Sequence, residues 1–319
     1  MTDLPTSPTT QPTEPTEPTI PANRAGGSRS IRSRLPSLEA TGLLVAFVVW
    51  LAIVYFAQQP GQTWGTGMDA ISYWANHLDT PYANSDWTKP EAYVYSPAFL
   101  QLVSPLAQLP WVAFLGAWTA ILLVAVRFLT GPRLFAFGAL LALMELAGGN
   151  ISLLLATAMV VGFRWPAAWA FVLLTKVTPG IGLLWFVVRG EWRKLGIALG
   201  TTAAVIAVSA IFMPGAWLEW VQLLGRIAGR DGTWAAFPIP FLARLPFAIA
   251  IVVWGARTDR RWTVPVAGML ALPALWYGGL SMLLAVIVLR EQDARHALAS
   301  KASEAGAISE TPGAVDASA

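Results

Sequence analysis

Long apolar tracts alternate with short polar or charged stretches along most of this chain. From Ala40 to Ala57 no charge interrupts, which is enough for one transmembrane helix. Further uncharged tracts run over 96–126, 134–144, 146–163, 165–175, 177–188, 195–218, 232–243, 245–256 and 262–289. Several are too short to cross about 30 Å of hydrocarbon at about 1.5 Å per residue. They must join across a lone charge near a membrane face, or form short, broken helices covered by neighbours. The tract 96–126 is too long for one simple span. Pro105 and Pro110 predict a short interfacial piece and then a helix from about 110. With breaks at Gly148–Asn150, Lys176–Pro179 and Pro273–Gly278, the pattern predicts an all-α polytopic membrane protein of about ten transmembrane helices. If 262–289 is one long helix, nine spans result and the C-terminus lies outside.

Orientation follows from where the basic residues fall. With the N-terminal segment inside, every Lys and Arg except Lys89, Lys176, Arg226, Arg230 and Arg244 lands on an inner segment. Sixteen tryptophans gather toward the span ends, as in an interfacial aromatic belt. Three polar features then face outward: the loop from Gln58 to Ser96, the Gly-Gly-Asn turn at 148–150, and a second sizeable loop from about 214 to 237. The inner connections are short and basic. Residues 1–36, Thr- and Pro-rich and ending in an arginine cluster, read as a disordered cytoplasmic tail, and 291–319, rich in Ala and Ser, as a second disordered tail. The membrane domain occupies 37–290. No secretory signal is expected, because the apolar run begins only at residue 40 and no cleavage pattern follows it.

Composition agrees with this picture. The chain has 319 residues, of which 12% are charged and 55% hydrophobic, and soluble domains carry about 25% charge. The pI of 9.4 does not signal nucleic-acid binding, since the basic residues form no continuous patch. Zero cysteines exclude disulfides and thiolate metal sites, and two histidines do not support a histidine-rich metal centre. No metal and no cofactor is expected.

Chemistry concentrates in the first outer loop. Asp69, in GMDAISYW, precedes Ile71, Tyr73 and Trp74, a pattern for a short amphipathic helix at the interface. A partly desolvated aspartate there reads as a general base, or else as a solvated loop acid. Asp79 and Asp86 read as solvated. Lys176, in FVLLTKVTPG, is costly in hydrocarbon and must lie near the outer end or meet an anion such as a lipid phosphate; the alternative is snorkelling to headgroups. Arg244, in FPIPFLARLPF, invites the same two readings. Glu145 would reach the Gly-Asn turn as a cap or structural partner. Asn150 would bind a sugar hydroxyl or satisfy the turn.

Together these pieces resemble a known pattern. An aspartate after the first span, Tyr-x-Tyr-x-Pro at 93–97, a Gly-Asn turn opening a helix, and TKVTPGIGLLWFVVRGEWRKL from Thr175 are similar to the bacterial polyprenol-phosphate-mannose-dependent α-mannosyltransferases. These form glycosyltransferase family 87, within the C-type multi-span glycosyltransferase superfamily. The resemblance covers about residues 40–290, and the lysine-proline segment is its most specific part. It implies a polyprenyl-phosphate sugar donor and a glycolipid or glycan acceptor of the cell envelope. Transfer would be extracytoplasmic and inverting, by a multi-pass protein of the cell membrane, with Asp69 matching the catalytic aspartate. The family often has histidines near its last spans that help hold the donor phosphate. Here that region reads LPALWYGGLS, so phosphate recognition falls to Lys176, Arg244 or a loop arginine. Tyr73, Tyr93 and Tyr95 would contact sugars, or else serve structural roles at the interface. A lipid-linked sugar transporter or flippase, and a non-catalytic envelope-assembly protein, are the competing classes. One-sided polar elaboration and the lack of a detectable internal repeat favour the enzyme.

Overall fold

The computed structural model describes residues 37–57, 66–83, 85–86, 89, 91–228 and 235–309. The expected N-terminal tail, much of the loop after residue 57 and positions 310–319 lie outside the described residues. Every regular element described is helical, as the alternation of apolar tracts and breaks predicts.

The first helix, α1 (Leu38–Phe56), is capped by Ser37, whose hydroxyl accepts from the Ala40 N–H at 3.2 Å. It buries one stripe, Gly42, Ala46, Val49 and Ile53, spaced three or four apart. Small and β-branched residues there let its backbone approach α4 (Trp111–Leu141) closely. A Cβ on Gly42 would lie 3.2 Å from that of Phe135. The opposite face exposes Leu43, Leu44, Phe47, Val48 and Leu51, as a lipid-facing surface should. The Trp50 indole donates to the Gly116 carbonyl at 2.7 Å, and Glu39 pairs with Arg127 at 3.1 Å.

A continuous apolar run hides a reversal within α4. Gly131 adopts φ 69°, open to glycine, with Pro132 following. Beyond it the chain folds back, because a Cβ on Gly138 would lie 2.5 Å from Thr130 Cγ2 and 3.1 Å from Val126 Cγ1. In a straight helix residues 130 and 138 would be about 12 Å apart. Arg127 and Arg133 flank this reversal at one end of the bundle, as the spacing of basic residues predicts.

Beyond α4 come α5 (Leu143–Gly148), α6 (Ser152–Gly162), α7 (Trp169–Thr175), α8 (Leu184–Val188), α9 (Trp192–Phe212), α10 (Pro214–Ile227), α11 (Phe241–Arg257), α12 (Thr263–Leu270) and α13 (Ala285–Ser309). Short 3-10 turns occupy Pro166–Ala168, Thr178–Leu183 and Tyr277–Leu284. Breaks thus fall at 149–151, 176–177 and 271–276, where the sequence places them, and α3 (Pro97–Ala107) is the short piece expected before α4. Among the described residues three helices, α1, α4 and α9, are long and apolar enough to cross a membrane. The shorter apolar pieces need the cover of their neighbours.

Three expectations are corrected. The stretch from 214 is not a loop: α10 is an amphipathic helix that buries Ala216, Trp220 and Leu223 and exposes Leu218 and Val221. The Trp220 indole fixes it to the loop that follows α2, donating to the Val94 carbonyl at 3.1 Å. The helix after Asp69, α2 (Ala70–Trp74), does not lie on the surface, since Ala70, Ile71, Ser72 and Tyr73 are all buried. Finally, α13 continues past residue 290 to Ser309, into the stretch read as a disordered tail. The Ala-rich sequence there favours helix once a span has nucleated it.

Candidate active site

At the end of the bundle where α1 finishes, the turn 66–69 is fastened to the end of α5. The Gly67 N–H donates to the Ala147 carbonyl at 2.6 Å, and the Asp69 N–H to the Gly148 carbonyl at 2.9 Å. This approach depends on glycine. A Cβ on Gly149, which has φ 71°, would come within 2.6 Å of the Ala70 Cβ.

Asp69 stands at the N-cap of α2 but makes no side-chain capping bond. Its backbone carbonyl takes the Ser72 hydroxyl at 2.7 Å, which leaves the carboxylate for other partners. One carboxylate oxygen lies 3.1 Å from where a Cβ on Gly148 would sit, a tight approach that glycine relieves. The other neighbour is Asn150, whose side chain hydrogen-bonds to Asp69. The amide oxygen of Asn150 accepts twice, from the Ile151 N–H at 2.6 Å and from Lys176 Nζ at 3.0 Å. With its oxygen so occupied, Asn150 offers its NH₂ to Asp69. The aspartate and the lysine are therefore linked through one amide.

Lys176 reaches this point because α7 ends at it. Its backbone is extended (φ −130°, ψ 104°), and the 3-10 turn opened by Thr178 and Pro179 prevents helical continuation. An ammonium has three donors and Asn150 takes one. Burial pushes the Asp69 carboxyl above the usual range, opposed by the Lys176 charge and the Asn150 hydrogen bond.

Glu145 takes the capping role that the sequence gives it. It is 1% exposed, and one carboxylate oxygen accepts from the Ser152 and Leu153 N–H groups that open α6, the latter at 3.3 Å. The signal was present, since a lone acid between the apolar tracts 134–144 and 146–163 must have a partner.

The predicted tyrosines divide. Tyr73 and Tyr95 share a hydroxyl contact at 3.2 Å and pack edge to face at 5.3 Å. Both lie near enough to feel the Asp69 charge. Tyr93 is turned elsewhere, donating to the Ser96 carbonyl at 2.9 Å. All three are buried, and Trp118 extends the cluster, 5.2 Å from the Tyr73 ring and donating to the Gly149 carbonyl at 2.7 Å.

Arg244 is not placed in this group. It is 4% exposed, and its guanidinium donates to the carbonyls of Ile239 at 3.0 Å, Leu270 at 2.6 Å and Pro273 at 3.1 Å. Leu270 ends α12 and Pro273 lies in the break that follows it, so the arginine clamps that break. Asp79 and Asp86 are exposed. Among the described residues no three acidic or histidine side chains converge as metal ligands would.

The arrangement pairs a half-buried carboxylate, able to take a proton, with a neighbouring ammonium able to hold an anion. A family model described as glycosyltransferase family 87 matches residues 93–308. That span contains Tyr93, Tyr95, Asn150, Lys176 and Arg244 and begins after Asp69 and Tyr73. No curated protein and no solved structure matches the chain.

Proposed function

Because the chain belongs to glycosyltransferase family 87, a family of membrane glycosyltransferases, we propose that it transfers a hexose, mannose, from a polyprenyl-phosphate donor to an envelope glycolipid or glycan on the extracytoplasmic side. The observation that carries this reading is the Asp69–Asn150–Lys176 chain, which sets a proton acceptor beside an anion-holding group.

The acceptor hydroxyl oxygen attacks the anomeric carbon and the bond from that carbon to the phosphate oxygen breaks. Asp69 takes the hydroxyl proton, and the electron pair leaves with the phosphate. Attack and departure on opposite faces invert the anomeric centre, as when water is the nucleophile in inverting glycosidases. The two remaining Lys176 donors stabilise the departing phosphate, an effect strengthened where water is excluded. Phosphate leaves readily, so no general acid is needed. Tyr73 and Tyr95 wall the site on the side of α2. The basic inner segments favour an orientation with this end outside.

The test is transfer by the purified protein in proteoliposomes given polyprenyl-phosphate mannose and an envelope lipid extract. Formation of an inverted, α-linked product supports the reading. Use of a nucleotide sugar with no turnover of any polyprenyl-phosphate sugar would refute it.

A further inference from the structure

The end of the bundle away from Asp69 carries cations that the transfer step does not use. Helix α11 starts beside the break at 271–276, where Arg244 is held, and its 17 residues carry the chain about 25 Å from there. Past its last residue, Arg257, the backbone makes a tight turn. Asp259 takes the left-handed region (φ 55°), which aspartate tolerates, and pairs with Arg189 at 2.9 Å. The Arg260 N–H returns to the Gly255 carbonyl at 2.8 Å. A Cβ on Gly255 would collide with the Thr263 hydroxyl, so glycine lets α12 start directly against α11.

This turn builds a stack of guanidiniums and indole rings. The Arg260 guanidinium lies over the Trp254 ring at 4.9 Å, and Trp254 meets Trp262 edge to face at 6.0 Å. From α13 the Arg290 guanidinium lies over Trp262 at 5.1 Å. Neighbouring arginines are neutralised: Arg189 by Glu191 and Asp259, Arg261 by Asp293, Arg295 by Glu291. Among the described residues Arg257, Arg260 and Arg290 make no ion pair, and all three are exposed. The helix C-terminus accounts for a cation at Arg257 alone. It does not account for two further arginines held on rings without an acid.

Toward the bilayer centre α11 continues the same surface as an apolar stripe. Phe247, Ala250, Trp254 and Arg257, spaced three and four apart, share one exposed face, with Phe247 67% exposed. The surface thus presents apolar side chains, then indole rings at headgroup depth, then unbalanced positive charge. Guanidinium matches phosphate, and basic sites between helices at a membrane face suit anionic headgroups. We infer that Arg260 and Arg290, on their tryptophan supports, bind the phosphate of an anionic phospholipid whose acyl chain lies along Phe247 and Ala250. A soluble phosphate would meet the arginines but leave the stripe uncovered. In the orientation proposed above the lipid belongs to the inner leaflet. Sugar transfer plays no part in this binding.

The experiment titrates full-length wild type, Arg260→Gln, Arg290→Gln and the double variant in detergent with phosphatidylglycerol or phosphatidylcholine. Native mass spectrometry counts bound lipid, and thermal unfolding checks the fold. Wild type should hold phosphatidylglycerol about tenfold or more tighter than phosphatidylcholine. Each single variant should lose about fivefold toward phosphatidylglycerol, and the double variant about twenty-fivefold, with phosphatidylcholine unchanged. If the double variant unfolds, the single variants decide. Arg260→Lys keeps the charge without the planar stack and should recover only part. Arg193→Gln removes an exposed charge at the same end but outside the stack, and should bind as wild type does. Equal losses in Arg193→Gln and Arg260→Gln would reduce the effect to net charge and overturn the inference. So would the lack of any preference for phosphatidylglycerol, or its displacement by inorganic phosphate at matched ionic strength.

Discussion

Lys176 and Asn150, 26 residues apart in sequence, meet at 3.0 Å between ammonium and amide oxygen, and the same amide turns its other side to Asp69. Two helix breaks produce this meeting. One is the left-handed glycine at 149, the other the extended backbone at 176. Asn150 is then the hinge between base and anion site. Asn150→Ala should lower kcat about tenfold or more with insertion unaffected, while Asn150→Asp, which adds a third carboxylate, should not rescue it. Steady-state kinetics on reconstituted protein checks both.

Lys176 also holds down the Asp69 carboxyl, which burial pushes up. Lys176→Gln removes that restraint, so the acid limb of the transfer profile should move to higher pH. The donor KM should rise more than the acceptor KM. A profile with an unmoved acid limb would separate the two residues electrostatically.

The raised Asp69 carboxyl also has a consequence for stability. A group whose folded pKa exceeds its unfolded value stabilises the fold below the unfolded pKa, and that contribution is lost as pH rises through the folded pKa. At neutral pH an ionised Asp69 is therefore a burden. Asp69→Asn should unfold at the same or a higher temperature than wild type near pH 7.5, with the difference vanishing at a pH low enough to protonate Asp69 in both the folded and the unfolded chain. Thermal unfolding in detergent across pH is the measurement.

Arg244 should behave as a structural clamp. Removing its three hydrogen bonds leaves the carbonyls of Ile239, Leu270 and Pro273 without a donor and should cost about 2–4 kcal/mol. Lysine cannot span three carbonyls as the planar fork does, so Arg244→Lys should recover little. Protein that does fold should keep the wild-type donor KM. A selective rise in donor KM at unchanged stability would return Arg244 to the phosphate.

The absence of cysteine makes sidedness directly readable. Asp79→Cys, exposed in the loop after α2, should react with an impermeant thiol reagent applied to intact cells. Arg164→Cys, exposed after α6, should react only after lysis.

How much of this could be read from the sequence depended on whether local or distant atoms decided each feature. Backbone breaks at 148–150, 176–179 and 273–278 were legible because glycine and proline act locally. Lys176 stood out because a charge in an apolar tract must find a partner. What Arg244 does was not legible, since the carbonyls it holds lie as far on as residue 273. Tyr93 looks equivalent to Tyr95 in sequence, yet its hydroxyl is taken by the Ser96 carbonyl. For α10, mixed polar and apolar spacing suggested a loop, whereas its apolar stripe packs through Trp220 onto Val94, a contact between residues far apart in the chain.

The most direct test of the central claim is the rate of sugar transfer by Asp69→Asn from polyprenyl-phosphate mannose, with folding and donor binding verified beforehand. Loss of the general base should lower kcat by about 10²–10⁴-fold, with donor affinity retained. Transfer at the wild-type rate by the folded variant would contradict the account.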